Sequence, residues 1–140
     1  LHAGYPVVNI RVRLQDGKAH SVDSSDMAFQ MAGQLALQDA AAKAGVVMLE
    51  PVSEVAIEVD DQFVGAILSD VPSRRGRISG TTPAEIAGRT IITAEIPDLE
   101  LVTYAITLRS LAHGTGRFTR TLSGYEPLPA NIAAKLTASA

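Results

Sequence analysis

The stretch HSVDSSDMAFQMAGQLALQDAAAKAGVVMLEPVSEVAIEV, His20 to Val59, decides how the chain is organised. It joins a tight polar loop, a long apolar helix, a short linker and the first strand of a second domain. Asp23 can cap the first helical turn with its carboxylate, and Asp26 three residues later suits the positive helix end. Met27, Ala28, Met31, Ala32, Leu35, Ala36 and Ala42 occupy most of the helix circumference. Gln30, Gln34 and Gln38 leave a single polar stripe at i, i+4 spacing. Such a helix, over residues 24–44, is expected to be largely buried, and Gly45 suits its end.

Working outward toward the N-terminus, Val8, Ile10, Val12 and Leu14 alternate with Asn9, Arg11 and Arg13, the pattern of a half-buried strand. Asp16-Gly17 is a hairpin signal, and Lys18 to Val22 reads as a second short strand. Two strands cannot cover a helix that is apolar on most sides. Residues 1–48 therefore read as a partial α/β unit, a strand hairpin plus a long helix. Residues 1–45 are expected to stay under-buried or to pack against another copy.

Beyond Pro51 the pattern changes. Val55, Ile57 and Val59 face one way, and Glu54, Ala56 and Glu58 the other. Val64, Ile67, Leu68 and Val71 follow at helical spacing, and Pro72 weakens the helix by removing a backbone donor. Gly76 and Gly80 bracket a short strand, Thr82 to Gly88 is a polar turn, and Thr90 to Ile96 is a further strand. Leu101, Val102, Ala105, Leu108 and Ala112 form the next helical stripe, ended by Gly114. Phe118 to Leu122 reads as the last strand, and Asn131 to Leu136 as a closing helix. The order strand, helix, strand, strand, helix, strand predicts an α+β fold over residues 52–125. It is a ferredoxin-like antiparallel sheet with both helices, near 62–74 and 99–113, on one face.

Composition limits the function. Hydrophobic residues make up 46% and charged residues 19%, a globular balance. Aromatic residues are 4%, too few for a base-stacking platform, and the net charge of −3 provides no global field toward nucleic acid or anionic membrane. Any RNA contact must be local. The chain has no cysteine, which excludes disulfides and thiol chemistry. No apolar run reaches the roughly 18 residues of a membrane span. Leu1 opens the sequence without a basic–apolar signal pattern, and it reads as a piece of something longer.

Two groups of residues carry possible chemistry. His20, Asp23, Ser24 and Ser25 contain the residue types of an acid–base–nucleophile group. Their order before a helix fits a polar loop that satisfies helix-start amides better than it fits catalysis. The second group is Arg74, Arg75 and Arg77, the densest basic cluster, with Arg109, Arg117 and Arg120 as additions. Arginine forks suit phosphate oxygens, and a solvated helix end is the plainer reading. His113-Gly114-Thr115-Gly116 reads as a helix stop. His2, His20 and His113 are too scattered for a metal site, and Asp16-Gly17-Lys18-Ala19 lacks the core of a phosphate-binding loop.

The motifs in order also carry a resemblance. His20-x-Val22-Asp23-Ser24-Ser25-Asp26-Met27-Ala28-Phe29, Leu49-Glu50-Pro51 and Ser73-Arg74-Arg75-Gly76 form the first half of it. Tyr104-Ala105-x-x-Leu108-Arg109-Ser110, Gly114-x-Gly116 and Tyr125-Glu126-x-x-Pro129 complete it. Together they resemble the C-terminal part of elongation factor G. The resemblance implies that residues 1–48 are the second half of its fourth domain, a ribosomal protein S5 domain 2-like half-domain. Residues 49–140 would be its fifth, ferredoxin-like domain with a C-terminal tail.

It further implies a cytoplasmic, ribosome-stimulated GTPase as the parent, whose GTP and Mg²⁺ belong to an N-terminal domain outside this chain. No cofactor or metal is expected in this fragment, and no catalysis or membrane contact. His20, Asp23, Ser24 and Ser25 would form a tip loop that enters the decoding region beside tRNA and mRNA. Arg74, Arg75, Arg77 and Arg109 would be candidate contacts to ribosomal RNA. The usual Gly-Tyr-Ala-Thr reads Thr103-Tyr104-Ala105-Ile106, the usual Met-x-Phe of the last strand reads Arg120-Thr121-Leu122, and Pro72 replaces a non-proline. These departures point to a divergent paralogue, for which ribosome protection or recycling is the alternative to translocation. A ferredoxin-like module that binds a small molecule, and a hydrolase built on His20 and Ser24, are the alternatives from other classes.

Overall fold

The computed structural model describes residues 4–138. The chain forms two compact units, one of Leu1–Met48 with Pro129–Ala140 and one of Leu49–Leu128. The closing segment groups with the first unit by its contacts.

The second unit begins with β1 (Leu49–Asp60), then a 3-10 turn at Asp61–Phe63 and α2 (Val64–Ser73). Strands β2 (Arg77–Pro83) and β3 (Arg89–Pro97), the short α3 (Asp98–Leu101), α4 (Tyr104–Leu111) and β4 (Arg117–Pro127) follow. The strands lie in the order β2-β3-β1-β4, every neighbouring pair antiparallel. This is the ferredoxin-like topology expected from the order of elements.

Register explains the core. Ile57 stands opposite Ile92 on one side and Phe118 on the other, and Val55 stands opposite Ala94. Directly opposed residues share a face of the sheet. Val55, Ile57, Val59, Ile92, Ala94 and Ile96 therefore make one apolar face. They form a single cluster with Ile67 and Val71 of α2 and with Leu101, Tyr104, Leu108 and Ala112 from the second helical segment. Both helices cover that same face. Each fully buried Val, Ile or Leu contributes roughly 1.5–3 kcal/mol of transfer free energy.

The second helical stripe differs from expectation. The helix breaks at Val102–Thr103, so Val102 is 79% exposed and Ala105 is also exposed. Tyr104 instead turns inward, fully buried and edge-on to Phe118 with ring centroids 5.0 Å apart. The break shifts the helical phase, and the aromatic ring fills the place assigned to the smaller residues.

Both longer helices of this unit end alike. Gly76 N–H donates to Val71 O and Arg75 N–H to Pro72 O, the two bonds of a Schellman motif. Gly114 N–H donates to Arg109 O at the end of α4. The left-handed residue in each case is not glycine: Arg75 has φ 57° and His113 has φ 49°. Gly76 is demanded by space, since a Cβ there would lie 2.6 Å from Val71 Cγ1 and 2.8 Å from Val71 O. Pro72 weakens the last turn as expected, leaving i−3 bonds from Arg74 and Arg75.

In the first unit, α1 spans Asp26–Ala44 and α5 spans Ala130–Ala138. Gly45 ends α1, its N–H donating to Ala41 O. The expected hairpin is not formed. Residues 5–20 contain no strand, and Val8, Ile10, Val12 and Leu14 are all exposed. No residue of α1 is buried either, and Met27 is 74% exposed, against the expectation of a largely buried helix and in line with that of an under-buried unit.

Gly76→Ala is expected to lower stability by about 1–3 kcal/mol, the magnitude of overpacking a filled site. Gly80 meets nothing within 4 Å at a Cβ position, so Gly80→Ala should change stability by less than about 0.5 kcal/mol. Urea unfolding of the two variants beside the parent chain measures both, and equal midpoints would refute the crowding argument.

Candidate functional site

The tip loop is braced by its own backbone. His20 N–H donates to Ser24 Oγ at 2.7 Å, and Ser24 N–H donates back to His20 O at 3.2 Å. Ser25 is the helix cap, with an extended backbone and its Oγ accepting from Ala28 N–H at 3.1 Å. Asp23, expected to cap, lies two residues before that position and is exposed; the helix starts later than the apolar pattern suggested. Asp26 occupies the first turn, where a carboxylate favours the positive helix end. His20 itself is exposed. The loop thus presents an imidazole on a short, doubly bonded turn in front of a 19-residue helix. The four loop residues are brought together, and their bonds belong to backbone bracing rather than to an activated nucleophile.

The arginines of the second unit divide sharply. Arg75 forms a bidentate pair with Glu50, one arm at 2.9 Å, and a further bond to Glu100 at 3.0 Å. Glu50 is only 4% exposed. Pairing with Glu50 pushes the Arg75 guanidinium even further above its ordinary range. Arg74 bonds Asp70 at 2.7 Å and Glu100 O at 3.0 Å, and its guanidinium lies 4.9 Å from the centre of the Tyr104 ring. Arg77 bridges Glu126 and Glu95. The sequence groups Arg74, Arg75 and Arg77 by proximity in the chain; the fold gives each its own carboxylate. Arg77 and Arg109 are the exposed ones of the four, and Arg109, in the last turn of α4, is the one with no ion-pair partner among the described residues.

A second network closes the opposite end of the sheet. Arg117 donates twice to Glu58 Oε2, at 2.6 and 2.8 Å, while Arg89 donates to Glu58 Oε1 and Asp60 Oδ1, both at 2.8 Å. The Arg117 bonds, helped by Arg89 and opposed by burial, hold the Glu58 carboxyl below its ordinary range. Glu95 is likewise held down, first by Arg77 and then by the hydroxyl of Ser123. Beside the Glu58–Arg117 pair lies a depression lined by Ala56, Glu58, Ile91, Arg117, Phe118 and Thr119.

Comparison with known proteins places this geometry. The family model for the elongation factor G C-terminus matches residues 47–136, and that for elongation factor G domain IV matches residues 1–61. The chain belongs to the elongation factor G family. It is 61% identical over its whole length to an elongation factor G-like protein of Mycobacterium tuberculosis (strain H37Rv), of which it covers 20%. It is 50% identical over 96% of its length to elongation factor G of Aquifex pyrophilus, of which it covers 19%. A crystal structure from Thermus thermophilus superposes on 89% of the chain, and 18% of its own, with TM-score 0.78 and 35% identity. The chain thus spans about a fifth of the length of the curated relatives it matches.

In elongation factor G terms, the Leu49-Glu50-Pro51 and Ser73-Arg74-Arg75-Gly76 motifs are halves of one ion-pair clasp, which the sequence reading missed. Both contain charge, and only the fold shows that the charges meet. No helix among the described residues is long and apolar enough to cross a membrane.

Because Glu58 is held below its ordinary value, its bonds contribute stability that is present above pH 4.5 and lost as pH falls through the folded value. Thermal melting should therefore fall as pH drops below about 5. Glu58→Gln is expected to melt lower at neutral pH and to show a shallower acid slope. An unchanged slope in melting curves of the variant would remove Glu58 from the acid response.

Proposed function

We propose that this chain is the ribosome-interacting C-terminal part of an elongation factor G-like translational GTPase that acts in tRNA and mRNA translocation. The observation that carries the reading is the continuous match of the two family models, residues 1–136, with the braced His20 loop opening the helix of the first unit. GTP and Mg²⁺ are assigned to a part of the whole protein beyond this segment. Here the chain's own groups dock and probe. The His20 ring can donate to, accept from or stack on RNA, and Ser24 and Ser25 hold the loop that presents it. In the second unit, Arg109 is the one of the four named RNA contacts that is exposed with no ion-pair partner among the described residues. The partners proposed are ribosomal RNA and the tRNA–mRNA pair, in the cytoplasm.

Ribosome protection or recycling is the second reading. It is favoured by the higher identity to an elongation factor G-like protein, 61%, than to an elongation factor G, 50%.

In the full-length protein, His20→Ala is expected to slow single-round translocation by about tenfold, on the order of one well-placed hydrogen bond and stack. Folding and ribosome-stimulated GTP hydrolysis should be nearly unchanged, since the His20 side chain is exposed. Measuring both rates on the same ribosomes separates the cases. Equal loss of both rates would assign His20 to docking, and subunit splitting without translocation would favour recycling.

A further inference from the structure

Two apolar side chains of the second unit face water more than any others of their kind. Val102 and Ile106 are 79% and 71% exposed, the highest values among its large apolar residues. They lie one helical turn apart, and Leu99, also exposed, lies three residues before Val102. On the other side of the same segment Leu101, Tyr104, Leu108 and Ala112 are buried. Residues 98–112 thus keep one face on the sheet across the break at Val102–Thr103 and turn a second apolar stripe outward. Ile106 stands where the family pattern has threonine, so this stripe is not required by the fold.

The charges at the two ends of the stripe select its partner. Asp98 begins the segment and Arg109 closes it, three helical turns apart and so on one side. Neither has an ion-pair partner among the described residues: Asp98 accepts from Ser53 Oγ at 2.6 Å, and Arg109 is exposed. The neighbouring carboxylate of Glu100 is taken by Arg75 at 3.0 Å. A stripe with a free carboxylate at its start and a free cation at its end is complementary to itself run backwards. In an antiparallel pair about a two-fold axis, Asp98 of each copy meets Arg109 of the other. Val102 and Ile106 of both copies then meet at the axis.

We propose that Leu99, Val102 and Ile106, between Asp98 and Arg109, form a self-association surface whose occupant is the same stripe of a second copy of this chain. The inference goes beyond the ribosomal reading and does not depend on it. One short helical segment from each copy covers less than the roughly 1,200 Å² of a stable interface, so the pair forms only at high protein concentration.

The test uses the whole 140-residue chain, whose lack of cysteine lets one introduced thiol report on one place. Ala105→Cys lies beside the stripe and Ala32→Cys on exposed α1. Each variant is treated with a short bismaleimide at rising protein concentration. Dimers linked through A105C are expected, with a yield that rises with concentration. Adding V102S/I106S should lower that yield roughly tenfold. The melting temperature should stay the same, because both side chains face solvent. R109D should lower the yield as well, and an equimolar mixture of R109D with D98R should restore it. Linkage of A32C without linkage of A105C would overturn the proposal, since the copies would then meet through α1. An A105C yield that V102S/I106S leaves unchanged would overturn it too. An R109D variant that links like its parent would refute the antiparallel arrangement and with it the choice of occupant. Binding to purified ribosomes that V102S/I106S abolishes, with no A105C dimer at any concentration, would make the stripe a ribosomal contact and overturn the proposal.

Discussion

A carboxylate as deeply buried as Glu50 requires a permanent cation, and much of the second unit follows from supplying it. Arg75 is the cation, and it reaches Glu50 from the left-handed position that closes α2. For a residue with a side chain, that conformation costs roughly 1–2 kcal/mol. Stranding a buried charge costs about 3–5 kcal/mol, so the pair prevails over the strain. Gly76 is then pressed between Val71 and Ile96 and accepts no side chain. Arg77, two residues past Arg75, enters β2 opposite Glu95 and also reaches Glu126. Glu126 is itself the register partner of Glu50. Two carboxylates opposed across neighbouring strands repel, and each has an arginine of its own.

What the sequence revealed was whatever is local. Alternation at Val55, Ile57 and Val59 and at Ile92, Ala94 and Ile96 is enough to place two strands and their inner face. Helical spacing at Ile67 and Val71 does the same for α2. Tyr104 was legible only as part of a motif, because the two-residue break before it resets the helical phase. The ion pairs were hidden for a different reason. Glu50 lies 25 residues from Arg75, and Glu126 lies 49 residues from Arg77. Density of like charge along the chain says nothing about opposite charge delivered by register. In the tip loop the residue types were legible and the roles were not: Ser25 and not Asp23 caps, because the cap is set by where the first helical turn closes.

The first unit shows which elements can form without company. α1 has 19 residues, rich in alanine, with a serine cap, a glycine stop and an Asp39–Lys43 pair one turn apart at 2.7 Å. Those features are internal to the helix, and its length exceeds the roughly 12–15 residues below which isolated helices are marginal. The stretch from Val8 to Val22 needs the opposite. A hairpin has no interior of its own and is stabilised by a third strand or a covering helix. Its apolar side chains alternate correctly and still face solvent, because alternation specifies a face and does not supply what packs on it.

The same division separates charges that hold the fold from charges that face outward. An arginine bonded to a half-buried carboxylate is not free for phosphate, since releasing it would strand the partner. In an acidic unit, contact with an anionic polymer is therefore restricted to stretches lacking carboxylates altogether. Overall negative charge does not forbid such contact. At physiological ionic strength electrostatic fields decay over about 8 Å, so a contact responds to the charges beside it more than to the total. Net charge, which argued against nucleic acid in composition, is the wrong scale for a local contact. The relevant quantity is which cations remain once the fold has taken its own.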